Sequence, residues 1–245
     1  MITVGKQDQE PILEDQIMYT QTAEFCEDHK HLDLQVERPR NSVRIQSLRA
    51  HETLFNEGDD ADCLYEILEG VICGYRILFN GSRQIISFNF PGDLIGLSSA
   101  DQHTLSAEAV SSARLRKLCK SDLSKALRDD PELGNKLLNI AAKKLATLQN
   151  HFVNVGRKSA FERVASFLLT LARRSQVENS EYVEFDLPMT RTDIADYLGL
   201  TIETVSRTFT KLKIANVIDL PQFKRVVVHD INRLEELSEC DGNHN

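Results

Sequence analysis

The segment TRTDIADYLGLTIETVSRTFTKLK, from Thr190 to Lys213, decides the fold of the C-terminal part of the chain. Thr190 and Asp193, three residues apart, can supply the hydroxyl and the carboxylate of a capping box at the start of a helix. Gly199 is the residue type for which a left-handed turn costs least, and Thr201 can cap a second helix. Small and apolar residues at helical spacing would lock the two helices together: Ile194, Ala195, Leu198, Leu200 and Val205. The pattern predicts a helix-turn-helix.

The outward face of the second predicted helix carries side chains that can read base pairs. Glu203, Ser206 and Arg207 lie on the side away from the apolar residues. An arginine can donate two parallel hydrogen bonds to guanine, a glutamate can accept from the amine of cytosine, and a serine can contact thymine. We therefore predict that these side chains read neighbouring bases in one major groove. The alternative is an ordinary amphipathic helix whose Glu203 and Arg207 form an ion pair worth about 0.2–0.5 kcal/mol.

Other polar side chains of the segment are candidates for contacts with the DNA backbone. Phosphate oxygens accept hydrogen bonds from hydroxyls and cations whatever the base sequence, so these contacts would position the reading helix. The candidates are Thr190, Arg191, Thr192, Thr201, Thr204, Lys211 and Lys213.

Charge is unevenly distributed along the chain. The 245 residues carry a formal net charge of −8, which taken alone argues against a nucleic-acid partner. Residues 189–225, however, hold six basic and four acidic residues, so this segment has a net charge of +2 and the remainder −10. Because an excess of +2 is modest, tight binding to DNA would need two copies of the segment.

Composition and motifs exclude several classes of protein. No run approaches the roughly 18 apolar residues of a membrane span, and no basic start precedes an apolar block at the N-terminus, so we expect a cytoplasmic protein without a membrane partner. The five cysteines are scattered without a Cys-x-x-Cys pair, which predicts neither a disulfide framework nor a metal site. No nucleophile–base motif or phosphate-binding glycine loop indicates an enzyme.

The N-terminal part of the chain divides into two segments. Residues 1–36 carry two lysines against eight carboxylates, and we expect a partly disordered arm. Residues 37–130 contain short alternating runs between glycine-rich turns, which predict a β-sandwich, barrel or roll, with Asn80-Gly81 as the strongest hairpin signal. Cys63 and Cys73 fall inside predicted strands and are interpreted as small buried hydrophobic residues.

Residues 131–156 predict a long helix with two apolar faces. Leu138, Ile140 and Ala142 are expected to cover the roll, and a second stripe at spacings of three and four then needs a partner. A parallel copy of the same helix is the simplest partner, and Gly156 to Ser159 is the candidate hinge. The predicted homodimer contacts are Leu137, Ala141, Leu145, Leu148, Phe152 and Val155.

Residues 157–245 complete a predicted winged helix-turn-helix domain. An amphipathic helix from Phe161 to Arg174 comes before the helix-turn-helix, and a polar connection with one strand-like end lies between them. After it, NVIDL and FKRVVVHD flank Pro221-Gln222 and predict a small hairpin. Such a wing can place Lys224 or Arg225 near a phosphate.

The order of these elements resembles the CRP/FNR superfamily of bacterial transcription regulators over about residues 40–235. The motifs that carry the resemblance are NEGD at 56–59, LYEILEG at 64–70, PGDLIGL at 91–97, FERVASFLLTLARR at 161–174 and MTRTDIADYLGLTIETVSRTF at 189–209. The last segment is most similar to the FNR and FixK branch, whose recognition helix carries E-x-x-S-R, and Glu203, Ser206 and Arg207 match that motif.

The resemblance implies an α+β protein with a cyclic-nucleotide-binding-like β-roll, a long dimerisation helix and a C-terminal winged helix-turn-helix. It further implies that a homodimer binds double-stranded DNA at TTGAT paired with ATCAA. RNA polymerase is the implied second partner, recruited through an exposed loop of the roll for which Phe79, Gly81, Ser82 and Arg83 are the candidates. Genes of microaerobic or anaerobic respiration, or of nitrogen metabolism, are the implied targets.

The residues that would sense a signal depart from those of well-known relatives. Leu97 stands where the cyclic-nucleotide branch has a glutamate, and Leu105-Ser106 where it has an arginine pair that meets the phosphate. Clustered N-terminal cysteines for an iron–sulfur cluster are missing, and no histidine spacing selects a haem ligand. We therefore expect no cofactor and a member most like FixK. The alternative is DNA binding that requires a small molecule or a thiol modification in the roll, with Cys119 or Cys26 as candidates.

Overall fold

The computed structural model describes residues 44–98, 100–175, 182–222 and 224–239. The predicted acidic arm lies outside the described residues, as do Cys26 and Cys240. A strand-rich first part, a long helix and a mainly helical second part follow one another, in the order that the sequence predicts. Among the described helices, none is both long and apolar enough to cross a membrane.

Short strands build the predicted roll. They are β1 (Arg44–Leu48), β2 (Thr53–Phe55), β3 (Cys63–Glu69), β4 (Ile72–Ile77), β5 (Arg83–Asn89), β6 (Leu94–Ile95), β7 (Ser106–Ala109) and β8 (Ala113–Cys119). They pair into two four-stranded sheets, ordered β1-β8-β3-β6 and β2-β7-β4-β5. The two sheets enclose an apolar core in which Ile67, Ile72 and Leu115 are fully buried.

Two glycines fix the turns that the sequence marks. Gly81, at φ +81°, lies in the hairpin between β4 and β5, where the N–H of Leu78 donates to the carbonyl of Ser82 at 2.8 Å. Gly70, between β3 and β4, has φ +83°, and a Cβ there would lie 2.2 Å from the carbonyl oxygen of Ser112. Glycine is favoured at both places because it alone adopts positive φ at little cost.

Two helices connect the roll to the rest of the chain. The first, α1 (Lys120–Asp129), follows β8 directly. The sequence does not predict it, and it makes residues 120–129 near the end of the expected roll domain helical. The second, α2 (Pro131–Arg157), begins at Pro131 behind the cap residue Asp130, whose carboxylate accepts from the N–H of Glu132 at 3.0 Å. Helix α2 ends at Arg157, and its cap residue Lys158 has extended backbone, so the break lies within the predicted hinge from Gly156 to Ser159.

The faces of α2 differ from the prediction. Of the three residues predicted to cover the roll, Leu138 is 67% exposed and Ala142 is exposed, whereas Ile140 is half-buried and lines a cavity next to the roll. Contact with the roll is made by Lys144, whose ammonium donates to the carbonyl of Leu94 at 2.9 Å. Leu137, predicted to contact a second subunit, packs against α1 within the same chain.

The C-terminal part contains four helices and a small sheet. The elements are α3 (Ala160–Ser175), β9 (Val183–Asp186), α4 (Arg191–Leu198), α5 (Ile202–Ile214), β10 (Ile218–Gln222), β11 (Arg225–Val228) and α6 (Ile231–Glu239). The strands pair in the order β10-β11-β9. The predicted hairpin is therefore present, but Pro221 and Gln222 belong to β10 rather than to the turn, and the polar connection supplies a third strand.

Candidate nucleic-acid interface

The start and the end of α4 follow the sequence prediction. The carboxylate of Asp193 accepts from the backbone N–H and the hydroxyl of Thr190 at 2.9 and 2.7 Å, and the N–H of Asp193 donates back to that hydroxyl at 3.1 Å. At the other end Gly199 is left-handed, with φ +63°. The N–H of Leu200 then donates to the carbonyl of Ala195 at 3.0 Å. The predicted capping box and glycine turn are confirmed.

Apolar side chains hold α5 against α4. The six residues that form this contact are all at most 2% exposed, and they are Ile194, Ala195, Leu198, Val205, Phe209 and Leu212. They belong to one core cluster that also includes side chains of α3 and of the small sheet. Because the whole inner side of α5 is buried in this way, its polar side is directed to solvent.

The predicted base-reading side chains share that exposed side. Thr201 caps α5, with its hydroxyl accepting from the N–H of Thr204 at 3.2 Å. Glu203, Ser206 and Arg207 are all exposed in the first two turns. Hydrogen bonds from its own backbone N–H and from the Thr201 hydroxyl lower the pKa of Glu203. Glu203 is therefore an ionised acceptor at neutral pH.

The internal ion pair of the alternative interpretation is not formed. In the described part of the chain Arg207 donates to the hydroxyl of Thr204 at 3.4 Å and makes no salt bridge with Glu203. A contact of that length is weak, because hydrogen-bond energy falls off well before it. Arg207 can therefore give up its hydrogen bond to Thr204 at little cost when it binds a guanine.

The candidates for backbone contacts fall into three groups. The hydroxyls of Thr190, Thr201 and Thr204 take part in the helix caps. Thr192 and Lys211 are exposed, as the prediction requires. Arg191 and Lys213 have partners within the chain that the sequence did not reveal. The guanidinium of Arg191 lies 3.5 Å from the ring centroid of Phe209, and burial lowers its pKa.

Acidic residues meet the cations at the edge of the interface. The ammonium of Lys213 lies 2.8 Å from the carboxylate of Asp219. In the wing, Arg225 forms an ion pair with Glu184 at 2.6 Å, whereas Lys224 is exposed. Lys211 and Lys224 are therefore better placed for a phosphate than Lys213 and Arg225.

Strand β5 of the roll contacts α4 through Arg83. Arg83 donates to the carboxylate of Asp193 at 3.0 Å and to that of Glu108 at 2.5 Å, and its side chain is only 23% exposed. The prediction that Arg83 belongs to an exposed polymerase-binding loop is therefore wrong. Phe79, Gly81 and Ser82 do lie at the exposed tip of the hairpin.

An aromatic cluster completes the contact between the roll and the helix-turn-helix. Tyr197 on α4 packs against Phe88 of the roll and Phe167 of α3, with ring centroids 5.0 and 5.7 Å apart. His151 of α2 stacks on the same ring at 4.0 Å. Burial raises the pKa of Tyr197 to about 12 and lowers that of His151. Four parts of the chain thus meet at one side chain.

A stripe on α2 that is apolar except at Gln149 is exposed. The exposed residues that alternate at spacings of four and three are Leu138, Ala142, Leu145, Gln149, Phe152 and Gly156. This is the repeat by which two helices pack as a coiled coil. Leu145, Leu148 and Phe152 of the predicted contacts are exposed, whereas Ala141 and Val155 are half-buried, and Val155 is directed toward Gly199.

A roll joined through a long helix to a winged helix-turn-helix defines a class of protein, the DNA-binding transcription regulators with a sensor-like domain. Comparison with known families agrees with this class. Residues 45–130 match the cyclic nucleotide-binding domain and residues 162–237 match the Crp-like helix-turn-helix domain.

Comparison with individual proteins identifies the branch. The chain is 43% identical over 185 residues to the nitrogen fixation regulation protein FixK of Azorhizobium caulinodans, with 75% of each chain covered. It is 36% identical over 193 residues to FixK of Rhizobium meliloti, covering 79% of this chain and 85% of the relative. The structure of FixK2 from Bradyrhizobium japonicum superposes with a TM-score of 0.75 at 36% identity, covering 81% of this chain and 98% of that one.

The chain belongs to the CRP/FNR superfamily, in its FixK branch. It is a FixK-type transcription regulator with a helix-turn-helix DNA-binding domain, and its relatives are regulators rather than enzymes. The resemblance identified from the sequence motifs is confirmed.

Proposed function

We propose that the protein binds DNA as a homodimer and reads TTGAT paired with ATCAA. The observation that carries the proposal is the shared exposure of Glu203, Ser206 and Arg207 on α5. Arg207 donates to O6 and N7 of the guanine in each half-site, and Glu203 accepts from the amine of a cytosine. Ser206 contacts a thymine beside them. The match to the E-x-x-S-R motif supports this assignment.

The homodimer brings two reading helices to the DNA at once. The exposed stripe on α2 supports a homodimer, because Leu145 is 58% exposed and Phe152 is 79% exposed. A second copy of the helix would remove these apolar surfaces from water. Two copies also double the small positive charge of residues 189–225. In such dimers the half-sites lie about one helical turn, roughly 34 Å, apart.

Recruitment of RNA polymerase is the proposed consequence of binding. The exposed hairpin tip with Phe79, Gly81 and Ser82 is the proposed contact, because a fully exposed aromatic side chain is a common anchor at protein interfaces. The FixK relatives carry names that refer to nitrogen fixation. We propose control of nitrogen-metabolism or microaerobic respiration genes on that basis.

Two substitutions in α5 test how the DNA is read. Arg207→Ala should cost about 1–3 kcal/mol on TTGAT and bind a guanine-substituted site equally well, because one bidentate contact is lost. Lys211→Ala is the matched control, since loss of a phosphate contact weakens all sequences alike and lowers the salt slope by about 1. Fluorescence anisotropy over a salt series measures both. If the Arg207 variant still prefers TTGAT to the guanine-substituted site as strongly as the parent does, Arg207 does not read that guanine.

Ligand-dependent regulation is the second candidate. A cavity of about 180 Å³ lies between the roll and the helices α2 and α3, with Lys144, Asp93, Arg174 and His151 in its wall. Sites for drug-sized ligands usually have volumes of about 300–1,000 Å³, so this cavity would accept only a smaller ligand. A gel shift with purified protein separates the candidates: nanomolar binding without an additive supports the first, and binding only after an additive supports the second.

A further inference from the structure

Two cysteines from different strands of the roll lie side by side. Cys63 begins β3 and Cys119 ends β8, and the antiparallel register places them directly opposite each other. The N–H of Lys120 donates to the carbonyl of Asp62 at 2.8 Å. The cysteines are therefore the adjoining pair without backbone hydrogen bonds, in which side chains approach most closely. Their sulfur atoms are 3.0 Å apart.

This geometry permits a covalent bond without movement of the strands. A pair of this kind has Cα atoms about 4.5 Å apart, within the roughly 4.4–6.8 Å that disulfides span. The sulfurs need to approach by about 1 Å to reach the bonded distance of about 2.05 Å. Neighbouring pairs such as Leu64 and Leu118 keep the two strands in register on one side of the cysteines.

The two thiols differ in their access to a solute. Cys63 is buried, and this burial together with the hydrogen bond to Cys119 raises its pKa to about 11. Cys119 is partly exposed and directly precedes α1, between Lys117 and Lys120 in the sequence. A solute can therefore reach the sulfur of Cys119, whereas the sulfur of Cys63 is buried next to it.

We propose that Cys63 and Cys119 form a reversible intramolecular disulfide when the protein meets a hydroperoxide. With hydrogen peroxide as the hydroperoxide, the Cys119 thiolate attacks one oxygen, so that an S–O bond forms, the O–O bond breaks and hydroxide leaves. The Cys63 sulfur then attacks the resulting sulfenic acid. The S–S bond forms, the S–O bond breaks, and the hydroxyl leaves with the Cys63 proton as water.

The two reaction steps balance in electrons and protons. Two thiols lose two electrons and two protons, and hydrogen peroxide takes them up to become two molecules of water. A reduced dithiol restores both cysteines by thiol–disulfide exchange. Both cysteines belong to the roll, so the reaction can be measured in the absence of DNA.

A third cysteine of the roll is an internal control. Cys73 is fully buried, and its register partners are Phe88 and Glu108. Its thiol donates to the carbonyl of Glu108 at 3.7 Å. With no cysteine opposite, Cys73 should stay reduced when Cys63 and Cys119 are linked.

The test uses the full chain with Cys26→Ser and Cys240→Ser, so that only the three roll cysteines remain. Reduced protein is treated with one equivalent of hydrogen peroxide, and the remaining free thiols are blocked with a thiol reagent. The mass of the intact protein is then measured by mass spectrometry. We expect loss of two hydrogen atoms, protection of two thiols from the reagent, and recovery with dithiothreitol. Cleavage after Glu66 and Glu69, in addition to arginine and lysine, separates Cys63 from Cys73 and identifies the linked peptides.

Single variants decide the order of events. Cys63→Ser should stop at a sulfenic acid on Cys119, which dimedone traps, while Cys119→Ser should slow peroxide-dependent thiol loss at least about tenfold. Cys73→Ser should leave the linkage unchanged. Oxidation of Cys119 to sulfinic acid in the parent without a link to Cys63 would overturn the proposal, as would a disulfide between two chains in place of the internal one.

Discussion

The ion pair between Arg83 and Asp193 connects the roll to the first turn of α4. Replacing Arg83 by Met and Asp193 by Asn, singly and together, isolates their coupling energy in a double-mutant cycle. Asparagine keeps a side-chain oxygen for the Thr190 N–H, so the cap is disturbed least. The expected coupling is about 1–2 kcal/mol in favour of the pair.

The magnitude follows from the distance and the burial of the pair. Opposite charges 3.0 Å apart attract by about 5 kcal/mol at an effective dielectric constant of about 20. Desolvation offsets most of this, since the side chains of Arg83 and Asp193 are only 23% and 10% exposed. Coupling between residues in contact usually amounts to about 0.5–3 kcal/mol, and the expected value lies inside that range.

Urea unfolding followed by circular dichroism measures the cycle. The control is the pair Arg76 and Glu57 in the same part of the roll, whose side chains are 54% and 38% exposed. Exposed pairs contribute about 0–1 kcal/mol, so the corresponding cycle should give the smaller coupling. The reasoning is refuted if Arg83 and Asp193 couple no more strongly than the control pair.

Three further predictions concern pH, assembly and a turn. Burial lowers the pKa of His151 below its ordinary 6.5, so the unfolded chain binds a proton first and stability falls as the pH drops below about 6.5. His151→Asn should flatten that slope in urea midpoints, leaving the share of His103, whose pKa burial also lowers; an equal slope would contradict this. Leu145→Glu should give a monomer in sedimentation while the control Asn150→Glu stays dimeric, and a dimeric Leu145 variant would exclude the stripe. Gly70→Ala should destabilise by about 2 kcal/mol or more in thermal unfolding, since positive φ and the Ser112 carbonyl both oppose a Cβ; an unchanged midpoint would speak against it.

Local chemistry explains what the sequence predicted correctly. A capping box such as that of Thr190 and Asp193, a left-handed Gly199 and an Asn80-Gly81 turn each depend on a few consecutive residues. Their hydrogen bonds and backbone angles are nearly independent of the rest of the chain. The apolar spacing around Val205 then determines which side of α5 is buried, and so which side chains are exposed.

Contacts between distant segments could not be predicted in this way. Arg83 and Asp193 are 110 residues apart, and Cys63 and Cys119 are 56 apart. Their proximity follows from sheet register and domain packing, which a spacing pattern does not encode. The sequence therefore predicts an exposed loop for Arg83 and does not indicate that Cys63 is the neighbour of Cys119.

A missed helix explains the displaced stripe on α2. Helix α1 has few apolar positions, so the sequence does not predict it and places Leu137 in the dimer contact. In the structure α1 covers Leu137. The exposed stripe therefore begins one residue later, at Leu138, and shares Leu145 and Phe152 with the predicted stripe.

We propose above all that α5 reads a two-fold symmetric site without an added signal. Selection of bound sequences from a random DNA pool by the purified protein, with no ligand present, tests half-site, symmetry and independence from a ligand together. The account predicts enrichment of TTGAT and ATCAA as an inverted repeat with centres about one helical turn apart. Enrichment of a different or unpaired half-site, or of no sequence at all, would contradict it.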